Sequence, residues 1–159
     1  MRAMRASHSK STAKDKTPRI TVAAFETLLA ASLPMMIDWD VRVESIGHGS
    51  ATLSVPGRPR FLRPGDTVSG PVMMGLADVA LYAALLGAIG PMPLAVTSSL
   101  TINFLRKPGA GGIRAEALIL KLGRRLATGE VRIYGGSSDE LAAHVISSYA
   151  IPDAKAGAG

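Results

Sequence analysis

The chain has 159 residues, a formal net charge of +6 and no cysteine; disulfides, thiolate metal sites and a cysteine nucleophile are excluded, and a reducing cytoplasm is the simplest setting. That length suits one domain with one core. The charge is no nucleic-acid footprint, since six basic residues against Asp15 place a net +5 in residues 1–19, and aromatics at 4% make a poor stacking platform.

Residues 1–19 read as a disordered basic tail with too little apolar surface to offset the entropy of ordering; a phosphate-holding arm or an organelle address is the alternative. Val22, Phe25, Leu28, Leu29 and Leu33 recur at helical spacing and stop before Pro34, which predicts a short amphipathic helix. Trp39, Val41 and Val43 alternate with Asp40, Arg42 and Glu44 as in a half-buried strand. Gly47-His48-Gly49 turns the chain, and Ala51, Leu53 and Val55 complete a hairpin. Residues 56–70 hold three prolines and three glycines and read as a loop.

Ser69 is placed to cap a long apolar helix that opens with Gly70-Pro71 and ends at Gly90-Pro91-Met92-Pro93. Its length suits a membrane span, but Asp78 near its centre has no intramembrane partner, so a buried core helix fits better. Four strands follow, over 94–104, 113–122, 126–134 and 140–151; in the first of them Leu94, Val96, Ser98, Leu100, Ile102 and Phe104 face one way and Thr97, Ser99, Thr101 and Asn103 the other, and residues 153–159 read as a frayed tail. The domain, residues 20–152, is then α-β-β-α-β-β-β-β, one antiparallel sheet around an apolar helix. A single sheet leaves a flank of that helix bare, and isologous dimerisation would close it.

Asp78 is the sharpest chemical feature, because an ionised carboxylate inside an apolar helix is costly unless paired or hydrogen-bonded. Its helical neighbours Met74, Gly75, Leu81 and Tyr82 include no base. It is either satisfied at the helix edge or across an interface, or it is a general base or nucleophile with a raised pKa. Gly70 is either a tight turn or a place where a carbonyl meets backbone N–H groups at the positive end of the helix. Thr97 and Ser99 fill a pleat or orient a water. Arg106, Lys107, Arg124 and Arg125 are solvated turn charges or a phosphate site shared by two neighbouring strand ends. His8, His48 and His144 lack metal-ligand spacing, and no metal site is expected; His48 reads as turn filler and His144 as a half-buried strand residue.

The segments SGPVMMGLADVALYAA, AVTSSLTINFLRKP, KLGRRLATGEVRIY and LAAHVISSYAIP together resemble the PaaI-like, phenylacetate-pathway thioesterases of the hotdog superfamily, over about residues 35–152. The resemblance implies an α+β hotdog fold, a curved antiparallel sheet wrapped around one long central helix, with a short N-terminal helix in addition. It implies homodimers or homotetramers with sites at the subunit interface and hydrolysis of acyl-coenzyme A, coenzyme A being part of the substrate and no cofactor being needed. The family's His-Gly-Gly, followed by an acid nine residues after the His, here reads Ser69-Gly70-Pro71 and Asp78. Gly70 would then bind the thioester carbonyl, Asp78 would act as base or nucleophile, and Thr97 would help to place the water. The upstream Asn falls on Arg63, and coenzyme A phosphates would lie near Arg106, Arg124 and Arg125. The replaced motif residues keep a second expectation open, a non-catalytic acyl-CoA or acyl-chain binding protein. Neither reading involves nucleic acid or a membrane.

Overall fold

In the computed structural model, residues 16–153 are described; most of the predicted basic tail (1–15) and the end of the C-terminal tail (154–159) lie outside the described residues. Helix α1 (Val22–Ser32) starts where the extended residue Thr21 accepts the Ala24 N–H on Oγ1 at 3.1 Å, and it buries Phe25 and Leu29 one turn apart. A single turn, α2 (Met35–Asp38), follows Pro34 and was not expected. Strand β1 (Arg42–Gly47) starts later than the alternation from Trp39 predicts, because Asp40 sits at φ 59° and interrupts the extended run. Aspartate tolerates that region, and this one also accepts a 2.7 Å bond from Arg58. Strand β2 (Ser50–Pro56) completes the expected hairpin.

The predicted loop over 56–70 is more ordered than its composition suggests. It holds a 3-10 turn (Pro59–Phe61) and a small hairpin of β3 (Leu62–Arg63) and β4 (Thr67–Val68), turning through Gly65 and Asp66 at positive φ. Strands of two residues have no periodicity to read. Phe61 is buried against Trp39, with ring centroids 5.7 Å apart, and its carbonyl accepts the Ser69 N–H at 2.8 Å. The entry to the long helix is thereby tied to the chain before it.

That helix, α3 (Gly70–Ile89), ends at Gly90 with φ 90°. Ser69 occupies the cap position with extended dihedrals, but its side chain makes no capping bond. Strands β5 (Val96–Phe104), β6 (Gly112–Leu122), β7 (Leu126–Gly135) and β8 (Leu141–Ala150) lie where the alternation puts them. With β1 and β2 they form one antiparallel sheet in the order β1-β2-β6-β7-β8-β5. α3 packs against all six strands. Six strands laid flat would span roughly 24 Å, about twice the width of a helix, so the sheet curls around α3. Although α3 is long and apolar enough to cross a membrane, 72% of its most apolar stretch is buried inside the protein.

Small residues allow this close approach. Gly87 is buried, and a Cβ there would be driven into the carbonyl oxygen of Gly47, a backbone atom with no freedom to swing aside. Alanine is the better helix former by about 1 kcal/mol, but overpacking costs about 1–3 kcal/mol or more. Gly87→Ala is therefore expected to destabilise the fold, read as a lower urea midpoint with an unchanged m value; a raised midpoint would contradict the close packing.

The bare flank expected for α3 is narrower than a single sheet implies. Trp39 lies over Gly75, and Phe25 packs against Tyr82 with centroids 5.8 Å apart. What remains open is a stripe of Pro71, Met74, Gly75, Asp78 and Tyr82 at helical spacing. Strand β5 ends the sheet with only β8 beside it, and a bulge between Thr97 and Ser99 breaks the strict alternation expected along it.

Candidate active site

Asp78 stands half-buried on that stripe, and its partners are hydroxyls rather than a base. Thr97 Oγ1 donates to Oδ1 at 2.6 Å. The Tyr149 phenol lies 2.8 Å from the same Oδ1 and 2.9 Å from the main-chain oxygen of Asp78, so its one proton is shared between them. No bond from the described residues reaches Oδ2. Tyr149 is 4% exposed, and its ring stacks on Tyr82 at 5.8 Å and 14°. Tyr82 in turn packs on Phe25 and donates to the Met92 carbonyl at 3.2 Å. Burial pushes the Tyr149 phenol far above the usual tyrosine range, as does the neighbouring Asp78 charge, while the Thr97 hydroxyl pulls the other way. The phenol therefore stays protonated, a donor at any working pH.

Tyr149 was not among the site residues expected from the sequence. It alternates with Val145 and Ser147 on the buried face of β8, and a buried tyrosine needs a partner for its hydroxyl. Asp78 was the acceptor still without one.

Gly70 lies at the other end of the stripe. Met73 N–H already bonds Ser69 O at 3.2 Å, and Pro71 has no N–H, which leaves Gly70 and Val72 as the first-turn donors with no intrahelical acceptor. Gly70 borders a cleft of about 370 Å³ with Met73 and Phe104, rimmed by Arg63, Arg106 and Lys107. The Phe104 ring closes on Gly70, 3.2 Å from where a Cβ would stand. The fold thus gathers Gly70, Ser69, Arg63 and Arg106 at one end, and Asp78 with Thr97 further along.

Arg124 and Arg125 do not join the cleft within one chain. Leu126 and Val96 both pair with Ala150, whereas Phe104 pairs with Ala143, so seven residues of β8, about 23 Å, separate the two ends. Arg125 instead meets Asp153 at 3.0 Å. Ser99 contributes its carbonyl, which accepts from Ser147 Oγ at 2.8 Å. His48 is exposed in its turn, and His144 is half-buried on β8, 2.8 Å from Glu130. That bond, with help from Arg132, holds the Glu130 carboxyl below the usual glutamate range.

A six-stranded antiparallel sheet curled around a central helix defines a hotdog protein, here with an acid on the open stripe of that helix. The thioesterase superfamily model matches residues 65–142. The chain is 33% identical to a candidate thioesterase from Silicibacter sp. TM1040, whose structure superposes with a TM-score of 0.78 over 86% of this chain and 94% of that one. A variant of the phenylacetic acid degradation protein PaaI from Thermus thermophilus is 28% identical, with a TM-score of 0.67 over 75% and 99% of the two chains. A candidate esterase of Saccharolobus solfataricus is 29% identical over 112 residues, 70% of this chain and 79% of that protein. The chain belongs to the thioesterase superfamily, among its PaaI-like hotdog members, and is a thioester hydrolase by class.

Proposed function

We propose that the protein hydrolyses acyl-coenzyme A to the free acid and coenzyme A, at sites that two copies of the chain build together. The observation that carries this reading is the spacing of Gly70 and Asp78. Eight residues of helix separate them, about 12 Å of rise and about 80° of rotation. An oxyanion donor and a base must both come within about 3 Å of one reacting group. Gly70 and Asp78 of one chain are too far apart for that.

Pairing about a two-fold axis brings the separated parts together. The outer edge of β5 has no strand beside it, and Val96, Phe104 and Leu105 on and next to it are more than half exposed, so the edge suits isologous pairing with a second β5. An antiparallel match reverses the second copy and sets the partner subunit's Gly70 toward Asp78. It also turns the Arg124-Arg125 end of each chain toward the other chain's Arg106 end. Pairs of such dimers would form the tetramers common in the family. A chain without cysteine needs no oxidising compartment, which agrees with a cytoplasmic setting.

Asp78 Oδ2 takes a proton from water as the water oxygen attacks the thioester carbonyl carbon. The oxyanion meets the partner subunit's Gly70 N–H at the positive end of its helix. Collapse breaks the C–S bond, and the thiolate leaves with the proton held by Asp78. Thr97 spends its own proton on Oδ1 and can meet the water only as an acceptor. A water donating to both Thr97 Oγ1 and Asp78 Oδ2 turns a lone pair outward, which favours general-base action over direct attack by the carboxylate.

The test is release of free thiol from a panel of acyl-CoA esters. The scarcity of donors at the start of α3, where Pro71 has no N–H, favours a second reading, acyl-CoA binding without chemistry; tight binding with no turnover across the panel would establish it. The cationic rim makes a separate prediction. Arg63→Ala and Arg106→Ala are each expected to raise KM for acyl-CoA about fivefold, the equivalent of about 1 kcal/mol, with little change in kcat and a smaller effect at high salt. The same acyl group on N-acetylcysteamine, which has no phosphates, should show no such rise.

A further inference from the structure

We infer that Tyr149 is a positioning residue for Asp78, which together with Thr97 selects Oδ2 as the oxygen that works on water. This rests on the reading of Asp78 as the base. The geometry is specific, because two donors from two different strands, Thr97 on β5 and Tyr149 on β8, converge on Oδ1 at 2.6 and 2.8 Å. The last torsion of an aspartate is broad, so an unrestrained carboxylate plane swings over a wide range of angles. With both donors directed at one oxygen, the carboxylate plane is held at one angle, and the other oxygen, Oδ2, faces the open side.

Tyr149 is well built for the task. The same phenol reaches the main-chain oxygen of Asp78 at 2.9 Å and so references the carboxylate to the helix backbone. Its ring stacks on Tyr82, which packs in turn against Phe25 of α1. Three elements of the fold thereby bear on one torsion angle. The phenol's burial excludes a competing water, and its persistent protonation keeps it a donor.

The inference is tested with Tyr149→Phe, which keeps the ring and its stacking, made in the wild-type chain and in Asp78→Ala. In the wild-type background, kcat on acyl-CoA should fall about tenfold with KM within about twofold, the signature of lost transition-state orientation rather than lost binding. In the Asp78→Ala background the same change should alter the residual rate by less than about twofold, since a residue that acts through Asp78 has nothing left to act on. Equal losses in both backgrounds, or an unchanged kcat in the first, would overturn the inference. Wild-type rates in Asp78→Ala itself would instead remove the base reading on which it stands. Should Tyr149→Phe fail to fold, the exposed Thr97 gives a second reading of the same oxygen. Thr97→Val should lose about tenfold in kcat while Thr97→Ser stays within about threefold; equal rates in the two would also overturn the inference.

Discussion

Asp78→Ala is expected to lower kcat on acyl-CoA by about 10²- to 10⁴-fold, the range for loss of a positioned general base, while the protein remains folded and is at least as thermostable as wild type. The two halves of this expectation have different physical origins. Activity collapses because Oδ2 is the acceptor proposed for the proton of the attacking water, and α3 itself carries no other carboxylate. Stability is retained because aspartate is one of the poorer helix formers and alanine the best, a gain of about 0.5–0.7 kcal/mol per substitution. The substitution also removes a charge from an apolar helix. The partners left behind are not stranded. Tyr149 still has the main-chain oxygen of residue 78 at 2.9 Å, and Thr97 is exposed enough to bond water. A dead variant with an equal or higher thermal midpoint would mark the carboxylate as kept for chemistry at some cost to the fold. Asp78→Asn should be similarly inactive, because a carboxamide accepts hydrogen bonds but does not take the proton. A variant that lost activity only in proportion to lost folded protein would make Asp78 a structural residue.

How much of this was legible in the sequence depends on the range over which each signal acts. The strands around α3 were readable because β5 to β8 are nine to eleven residues long and each carries a stretch of period-two alternation, and because a twenty-residue apolar helix has few other ways to be covered. Asp78 announced itself as a charge among Leu76, Ala77, Val79 and Ala80, and Gly70 as a glycine at a helix start. The small hairpin of β3 and β4 was hidden because its strands hold two residues each amid prolines and glycines, where composition reads as loop. The late start of β1 turned on a single residue, Asp40, in a positive-φ conformation that aspartate permits but does not require. Distances between distant turns were out of reach. Arg106 and Arg124 both sit beside strand ends, and only the register shows that they are far apart in one chain, the end of β5 lying at Ala143 of β8 and the start of β7 at Ala150. Tyr149 was missed for a similar reason: its bond to Asp78 spans 71 residues, and nothing near it in sequence marks the partner.

Gly70→Pro is expected to lower kcat by about 10²- to 10³-fold, the cost of removing one oxyanion donor, and mixed with Asp78→Ala it should recover activity that neither variant has alone. Proline deletes the N–H outright, whereas any other substitution would keep it. The first turn of a helix tolerates proline, and Ser69 already has the extended dihedrals, φ −72° and ψ 153°, that a residue before proline requires. The added Cβ would stand 3.2 Å from the tip of the Phe104 ring, which has to give by only a few tenths of an ångström. If each site takes its donor from one subunit and its base from the other, a heterodimer of the two variants has one doubly damaged site and one with both groups intact. Random exchange of subunits makes half of the dimers mixed, so the mixture should reach about a quarter of wild-type activity. If Gly70 and Asp78 of the same chain served one carbonyl, every site in the mixture would lack one group, and activity would stay at the level of the separate variants. The helix makes the second outcome unexpected, because eight residues of separation are about 12 Å, several times the reach of a hydrogen bond. Recovery after mixing would therefore establish two things together: that the thioesterase site is shared between subunits, and that these two residues are its halves.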